Sequence, residues 1–263
     1  MNKNKMNKPK LFISLPCYDA MVTMQTMMSV LHLTNLLNKE QIEFTIDFIG
    51  NESLIPRARN NSLGRFMNSK FTHLLFIDAD IEFPANAVMD LLQGNKDVAC
   101  CAYAKKSYNW NRFMFSMNTE QNSKESFDSR GLDFTFNAEY DDTGNPIIDG
   151  NYMKVKHAAT GFMLIQRSIL EKLYIKHTEL AITTDDISSF GNSIIGLFCC
   201  SIKDKQYLSE DYSFCERVRE IGGSVWINTN HNLNHIGKHV FKSDLKNRQN
   251  KIRTQKDIMF YKQ

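Results

Sequence analysis

Four short apolar runs, separated by three segments of helical periodicity, fill the first hundred residues. That alternation constrains the fold more than any other feature of the chain. The runs are Leu11–Leu15, Phe44–Ile49, Leu74–Ile77 and Val98–Ala102, each of strand length and each bounded by Pro, Gly or polar residues. Between the first two, Ala20–Asn38 carries Met24, Met27, Met28, Leu31, Leu33, Leu36 and Leu37 at helical spacing, with neither Gly nor Pro. A second helix is predicted from about Pro56 to Met67, because proline is tolerated in a first turn. A third runs from Pro84 to Leu92 and is stopped by Gly94. Strand and helix in strict alternation predict an α/β layer structure with a mainly parallel central sheet flanked by helices. Its crossovers should be right-handed, and ligands should bind at the carboxyl ends of its strands.

Three of those ends are rich in polar groups: Pro16-Cys17-Tyr18-Asp19, Gly50-Asn51-Glu52, and the run Asp78-Ala79-Asp80-Ile81-Glu82. At strand spacing Asp78 and Asp80 share a face. Two such carboxylates repel unless a cation lies between them, and oxygen ligands of this kind suit Mn²⁺ or Mg²⁺ bridging to substrate phosphates. A solvated strand end accounts for the pattern equally well at this point.

The later chain is less regular. Residues 107–151 are polar and aromatic, with an Asp-Asp-Thr-Gly-Asn turn at 141–145, and predict an irregular region with a hairpin. "ATGFMLIQ" predicts one strand centred on Gly161, followed by a short helix from Ser168. Residues 178–208 read as a mobile insertion. Ser209–Ile221 is amphipathic, opens on Ser209 and the acids Glu210 and Asp211 in the manner of a helix cap, and stops at Gly222-Gly223. Val225–Ile227 is a last strand, and Lys242–Lys262 a basic C-terminal helix. Absence of repeats and linkers predicts a single domain over 1–263.

Composition removes several function classes. A net charge of +3, with its positive excess at the two ends, does not build a nucleic-acid-binding face. No segment has the ~20 apolar residues of a membrane span. The basic start is followed by too short an apolar stretch for a signal peptide, so a cytoplasmic location is expected. Six cysteines without C-x-x-C spacing read as reduced, buried thiols. The absence of Gly-x-Gly-x-x-Gly after the first strand argues against an NAD-type protein. His231, His235 and His239 recur at intervals of four, but the Asn-rich flanks and Gly237 predict a loop and not a metal-binding helix face. Tyr108, Trp110, Phe113 and Phe115 suit either a core or a sugar-stacking surface.

Taken in order, "LPCYDA", "LIPRARNNSLGRF", "HLLFIDADIEF", "ATGFMLI", "YLSEDYSFCERVREIGGSVW" and "NHIGKHVF" resemble the GT-A fold nucleotide-sugar glycosyltransferases. Within that fold the chain resembles the compact virus- and phage-type members related to family two. The resemblance spans most of residues 11–241. It implies a GT-A (Rossmann-like) fold with a nucleotide-binding half (1–105), a smaller acceptor and catalytic half (106–241), and the basic tail (242–263). The implied reaction moves a sugar from a nucleotide-diphosphate donor, a UDP- or GDP-sugar, to a glycan or other hydroxyl acceptor, with Mn²⁺ or Mg²⁺ as cofactor; host cytoplasm is the implied location if the protein is viral. In the implied site Asp80 and His235 hold the metal, and Asp78 assists it or holds the ribose. Pro16, Tyr18, Asp19, Glu52, Arg57 and Lys238 serve the nucleotide and its diphosphate. Gly161 and Phe162 line the acceptor side. Asp211, with Glu210, is the carboxylate pair that supplies a general base in inverting members. Retaining members share the metal site, and a non-catalytic scaffold is the reading from another class. A sugar nucleotidyltransferase would open with a Gly-rich loop after the first strand, which "SLPCYDAM" lacks. Glu82 has no role in the family pattern.

Overall fold

The computed structural model describes residues 8–119, 124–183 and 193–248. Along the chain these form β1 (Lys10–Cys17), α1 (Met24–Lys39), β2 (Glu43–Gly50), α2 (Ile55–Met67), β3 (His73–Ile77), β4 (Ile81–Glu82), α3 (Asn86–Gly94), β5 (Val98–Cys101), β6 (Ala104–Tyr108) and α4 (Trp110–Thr119). There follow β7 (Leu132–Phe134), β8 (Phe136–Ala138), β9 (Ile148–Asp149), β10 (Tyr152–Ala158), β11 (Phe162–Gln166), α5 (Arg167–Lys176), β12 (Ala181–Ile182) and β13 (Ile194–Ile195). The last elements are β14 (Ser201–Lys203), β15 (Gln206–Leu208), α6 (Glu210–Glu220), β16 (Val225–Asn228), β17 (Asn234–Ile236), β18 (Val240–Lys242) and α7 (Leu245–Arg248).

The central sheet has the order β2-β1-β3-β11-β5-β16-β10-β8, with β9 attached to β10. The pairs β1/β2, β1/β3 and β5/β16 are parallel, and β11 is antiparallel to both β3 and β5. Strands β1, β2, β3, β5 and β16 therefore run in one direction, as the alternation of the first hundred residues requires.

Side-chain alternation sends each central strand into two cores, as a sheet covered on both faces demands. On one face Phe12, Leu74 and Phe76 pack with Leu63 and Phe66 of α2, Leu170 of α5 and Phe214 of α6. On the other, Leu11, Ile13, Leu75 and Ile77 pack with Leu33 and Leu37 of α1 and Val88 and Leu91 of α3. At roughly 25 cal/mol per Å² of apolar area, these two layers supply the main drive to fold.

Four expectations need correction. The strand in "ATGFMLIQ" is not centred on Gly161: β10 ends at Ala158, the chain turns through Thr160-Gly161, and the strand β11 starts only at Phe162, three places away from β10 in the sheet. Residues 107–151 contain the helix α4, hidden in the sequence by its aromatic content; the Asp141–Asn145 turn is present, closed by a Tyr140–Pro146 bridge and by Asp141 Oδ1 accepting from the Thr143 and Asn145 N–H groups at 2.9 Å. The segment 178–208 is no detached insertion where it is described. Leu197 and Phe198 are fully buried, and the Phe198 ring stacks on Phe214 and meets Phe76 edge-on. Finally, Lys242 closes a strand, and the described helix beyond it is only Leu245–Arg248; the rest of the predicted basic helix lies outside the described residues.

The buried polar face of α2 explains how the 194–200 segment is held. Asn60 Oδ1 accepts from the Phe198 N–H at 2.9 Å, which satisfies a buried backbone donor. Opposite it, Arg217 of α6 donates to the carbonyls of Leu197 at 2.8 Å and Cys199 at 3.0 Å. Cys17, Cys100, Cys101 and Cys215 are buried free thiols, while Cys199 and Cys200 are half-buried. Among the described residues no helix is long and apolar enough to cross a membrane.

Candidate active site

The acid run after β3 is fixed by its backbone before its side chains are considered. Asp78 N–H donates to Gly161 O at 2.9 Å, Ala79 O accepts from Thr23 N–H at 2.9 Å, and Asp80 O accepts from Ile236 N–H at 2.8 Å. Three elements distant in sequence thus clamp three consecutive residues. β4 then pairs with β17, placing His235 opposite Ile81 and Asn234 opposite Glu82. Glu82 accepts from Asn234 Nδ2 at 2.8 Å, so its place in the run is to tie down the strand that carries His235.

This arrangement brings His235 Nε2 to 3.4 Å from Asp80 Oδ1. On the far side of the ring, Nδ1 lies 2.8 Å from Ala104 O. A carbonyl only accepts, so Nδ1 carries a proton, and Nε2 faces the carboxylate. The second oxygen of Asp80 is contacted by Lys106 Nζ. Burial pushes the Asp80 carboxyl up, but the hydrogen bonds from His235 and Lys106 outweigh burial and hold it below its ordinary value.

Asp78 serves a separate contact. Arg59 Nη2 donates to Asp78 Oδ1 at 2.9 Å, and Arg59 Nε lies 3.5 Å from Glu210 Oε1 at the start of α6. The Arg59 side chain is only 4% exposed. Among the described residues its Nη1 has no hydrogen-bond partner. Burial pushes the Glu210 carboxyl above its ordinary value, against the pull of Arg59 and with a push from Asp211. Asp211 Oδ1 accepts from the Tyr212 N–H at 2.8 Å and from the Ser209 hydroxyl. Ser209 is therefore not the side-chain cap expected of it; its hydroxyl is turned onto Asp211.

Tyr103 completes the wall. Its hydroxyl accepts from Gly161 N–H at 3.1 Å, and its ring meets His235 edge-on at 5.1 Å. Burial, reinforced by the Asp78 carboxylate, pushes the phenol well above its ordinary range and keeps it protonated. A Cβ on Gly161 would stand 2.3 Å from the Tyr103 oxygen and 2.8 Å from Asp78 Oδ2. Glycine is required here by close approach to these two groups.

Asp78 and Asp80 border a cleft of about 510 Å³, lined also by Pro16, Tyr18, Glu52 and Lys106 among others. It opens at the carboxyl ends of β1, β2 and β3, where ligands of such sheets bind. Tyr18 is 66% exposed at its rim, beside Asp19 in a left-handed turn at φ 52°.

Placement of the remaining sequence-predicted residues is uneven. Arg57 forms a two-point ion pair, at 2.6 and 2.8 Å, with Glu52 of the cleft lining, while Arg59, two residues on, is buried and reaches Asp78. Lys238 is exposed in the turn between β17 and β18. Phe162 is fully buried with its ring against Phe83, so it offers no accessible surface to an acceptor. His231 pairs with Asp90 at 2.7 Å and His239 lies 3.1 Å from the Tyr108 hydroxyl, so the three histidines do not meet. Sequence reasoning missed Lys106 and Tyr103. The signal for Lys106 was weak: one lysine of a Lys-Lys pair on a short strand looks solvated.

Do these residues fit a divalent ion? Among the described residues no group of three or more His, Cys, Asp or Glu stands ready to enclose one. Asp80 and His235 supply one oxygen and one nitrogen, with the imidazole oriented by the Ala104 carbonyl in the way metal-bound histidines are oriented. An octahedral Mg²⁺ or Mn²⁺ that takes one or two protein ligands and fills its sphere with phosphate oxygens and water needs no more. The donor set fits that use of a metal, not a closed structural site.

Fold and cleft together define a mixed α/β protein with a mostly parallel sheet flanked by helices, whose strand ends hold a mainly apolar cleft into which Glu52, Asp78 and Asp80 are set. No protein-family model matches the chain, and no curated protein matches it. Similar solved structures include A197 from STIV, at 15% identity and a TM-score of 0.47, covering 89% of this chain and 94% of that one. A second is GalNAc-T7 with UDP, GalNAc and Mn²⁺, at 11% identity and a TM-score of 0.43, covering 88% of this chain and 44% of that one. A third is a glycosyltransferase involved in the glycosylation of the major capsid of PBCV-1, at 10% identity and a TM-score of 0.31, covering 62% of this chain and 63% of that one. The chain thus spans less than two thirds of the length of the latter two.

Proposed function

We propose that the protein is a divalent-metal-dependent glycosyltransferase that moves a sugar from a nucleotide-diphosphate donor to an acceptor hydroxyl with inversion. The observation that carries this reading is the facing pair Asp80 and His235, 3.4 Å apart, the first in the turn after β3 and the second on β17, with Asp80 lining a cleft at the sheet's carboxyl edge. A sugar leaving a diphosphate builds negative charge on the leaving phosphate. A bound Mn²⁺ or Mg²⁺ would neutralise that charge, and Asp80 and His235 are the residues that would hold the ion.

The protein's own groups supply the rest. The cleft between Pro16, Tyr18 and Glu52 takes the nucleoside of a UDP- or GDP-sugar. Asp78, oriented by Arg59, accepts hydrogen bonds from the ribose. Glu210 is committed to Arg59, so the base role falls to Asp211, whose Oδ1 is held by Ser209 and the Tyr212 N–H. A carboxylate in this position takes the acceptor proton as the new bond forms. The domain assignment follows: residues 1–105 bind the nucleotide and 106–241 supply base and acceptor side.

The test is a panel of UDP- and GDP-sugars assayed for released nucleoside diphosphate with Mn²⁺, Mg²⁺ or EDTA. Release that needs the metal and one donor supports the reading. Release that survives EDTA removes the metal role, and no release with any donor favours a binding scaffold. The anomeric configuration of the product separates an inverting from a retaining enzyme.

A further inference from the structure

We propose that Lys106 is a displaceable counter-ion: it neutralises Asp80 while the donor site is empty, and on entry of metal and donor it transfers its charge to the diphosphate. This rests on the glycosyltransferase reading and adds to it a residue of stated behaviour.

The argument starts from the two oxygens of Asp80. Oδ1 faces His235 Nε2, and Oδ2 is in contact with Lys106 Nζ. A divalent ion held by Asp80 and His235 must compete with the ammonium for the same carboxylate. Two cations a few ångströms apart repel by several kcal/mol at the effective dielectric of a partly exposed site, roughly 20. Lysine and metal therefore do not share Asp80 in their full strength; one yields.

Lys106 is built to be the one that yields. Its side chain is 36% exposed, on a stem of four rotatable carbons. The stem passes Gly237, where a Cβ would come within 3.3 Å of its Cδ, so the absence of a side chain there leaves it room. The ammonium also lines the cleft together with Asp78 and Pro16, so leaving Asp80 keeps it inside the space assigned to the donor. Its strand β6 carries the Ala104 carbonyl that orients His235, which fixes the root of the lysine relative to the metal ligands. Arg59, the other cation of the site, is buried and held by Asp78 and Glu210, so it is not free to play this part.

The consequence is an effect of opposite sign in two states. Mn²⁺ binding to the full-length protein, followed by electron paramagnetic resonance, separates them for wild type, Lys106→Met, Lys106→Gln and Lys106→Arg. Without nucleotide, the two neutral variants are expected to bind Mn²⁺ about two- to fivefold more tightly than wild type, the scale of one half-exposed ion pair. With UDP present, wild type gains Mn²⁺ affinity, and this gain falls about tenfold in the neutral variants, the scale of one charge-assisted hydrogen bond to phosphate. Lys106→Arg keeps the wild-type pattern. Neutral variants that bind Mn²⁺ alone no more tightly than wild type, or that keep the full gain with UDP, overturn the assignment and leave the glycosyltransferase reading standing. A wild-type protein that binds Mn²⁺ neither alone nor with UDP or GDP overturns that reading, and this one with it.

Discussion

Arg59 Nη2 donates to Asp78 Oδ1 at 2.9 Å while Nε of the same guanidinium lies 3.5 Å from Glu210 Oε1. One buried cation therefore joins the acid run after β3 to Glu210 at the start of α6. Removing one partner of such a group leaves buried charge uncompensated, at a cost of about 3–5 kcal/mol. Arg59→Ala is expected to lower the unfolding free energy by roughly 3 kcal/mol in urea titration. Arg59→Lys should recover only part of this, because an ammonium cannot present two directed donors to two acids. An Arg59→Ala protein as stable as wild type would remove Arg59 as the link.

The contact between Gly161 and Tyr103 gives a second prediction. Gly161→Ala places its methyl 2.3 Å from the Tyr103 oxygen, closer than any non-bonded pair tolerates. Overpacking of this kind costs about 1–3 kcal/mol. Tyr103→Phe removes the nearest atom but leaves the ring carbon at 2.6 Å and Asp78 Oδ2 at 2.8 Å, so the double variant should recover only part of the Gly161→Ala loss, and a thermodynamic cycle should show coupling above about 0.5 kcal/mol. Strict additivity would mean that the strain lies elsewhere.

Histidine 73 carries a pH dependence. Burial lowers its pKa from 6.5 to about 4, and its Nδ1 lies 2.8 Å from Thr72 Oγ1. Between these values the unfolded chain binds a proton that the folded protein does not. Stability is therefore full above about pH 6.5 and is lost as pH falls towards 4, by on the order of 2 kcal/mol from this group. His73→Gln should flatten that part of the profile of melting temperature against pH. An unchanged slope would assign the acid sensitivity to other groups.

Asp211 and its neighbour separate chemistry from binding. Asp211→Asn keeps the shape and the oxygen that accepts from Ser209 and the Tyr212 N–H, but cannot take a proton. Transfer should fall about 10²- to 10⁴-fold with nucleotide affinity within a factor of about two. A parallel loss of nucleotide binding would make Asp211 structural.

Much of this site was legible in the residues. Apolar runs and helical periodicity located β1, β2, β3 and β5 with the helices between them, because buried parallel strands leave a strong local pattern. Asp78, Asp80, His235 and the Glu210-Asp211 pair were each singled out; Asp78 and Asp80 line the cleft, His235 faces Asp80, and Arg59 links Asp78 to Glu210. What the sequence hid depends on direction. Arg57 and Arg59 sit two apart on one helix; only the fold shows that the first reaches Glu52 and the second Asp78. Lys106 owes its place to β6, a strand that no pattern announced, and Tyr103 to the two-residue link between β5 and β6. Phe198 lies in the apolar run Ile194–Cys200, which reads as part of an insertion because polar clusters flank it; its burial against Phe76 and Phe214 shows only in the fold. Phe162, read as a surface, is core because β11 runs through the middle of the sheet.

The central claim is that Asp80 and His235 hold a metal that in turn holds a nucleoside diphosphate. Isothermal titration of UDP and GDP into wild type and Asp80→Asn, with Mn²⁺ and with EDTA, tests it most directly. The account predicts that Mn²⁺ tightens binding of one nucleotide at least about tenfold in wild type, and that this tightening is lost in Asp80→Asn. Equal affinity in Mn²⁺ and EDTA, or metal-dependent binding that survives in Asp80→Asn, would contradict it.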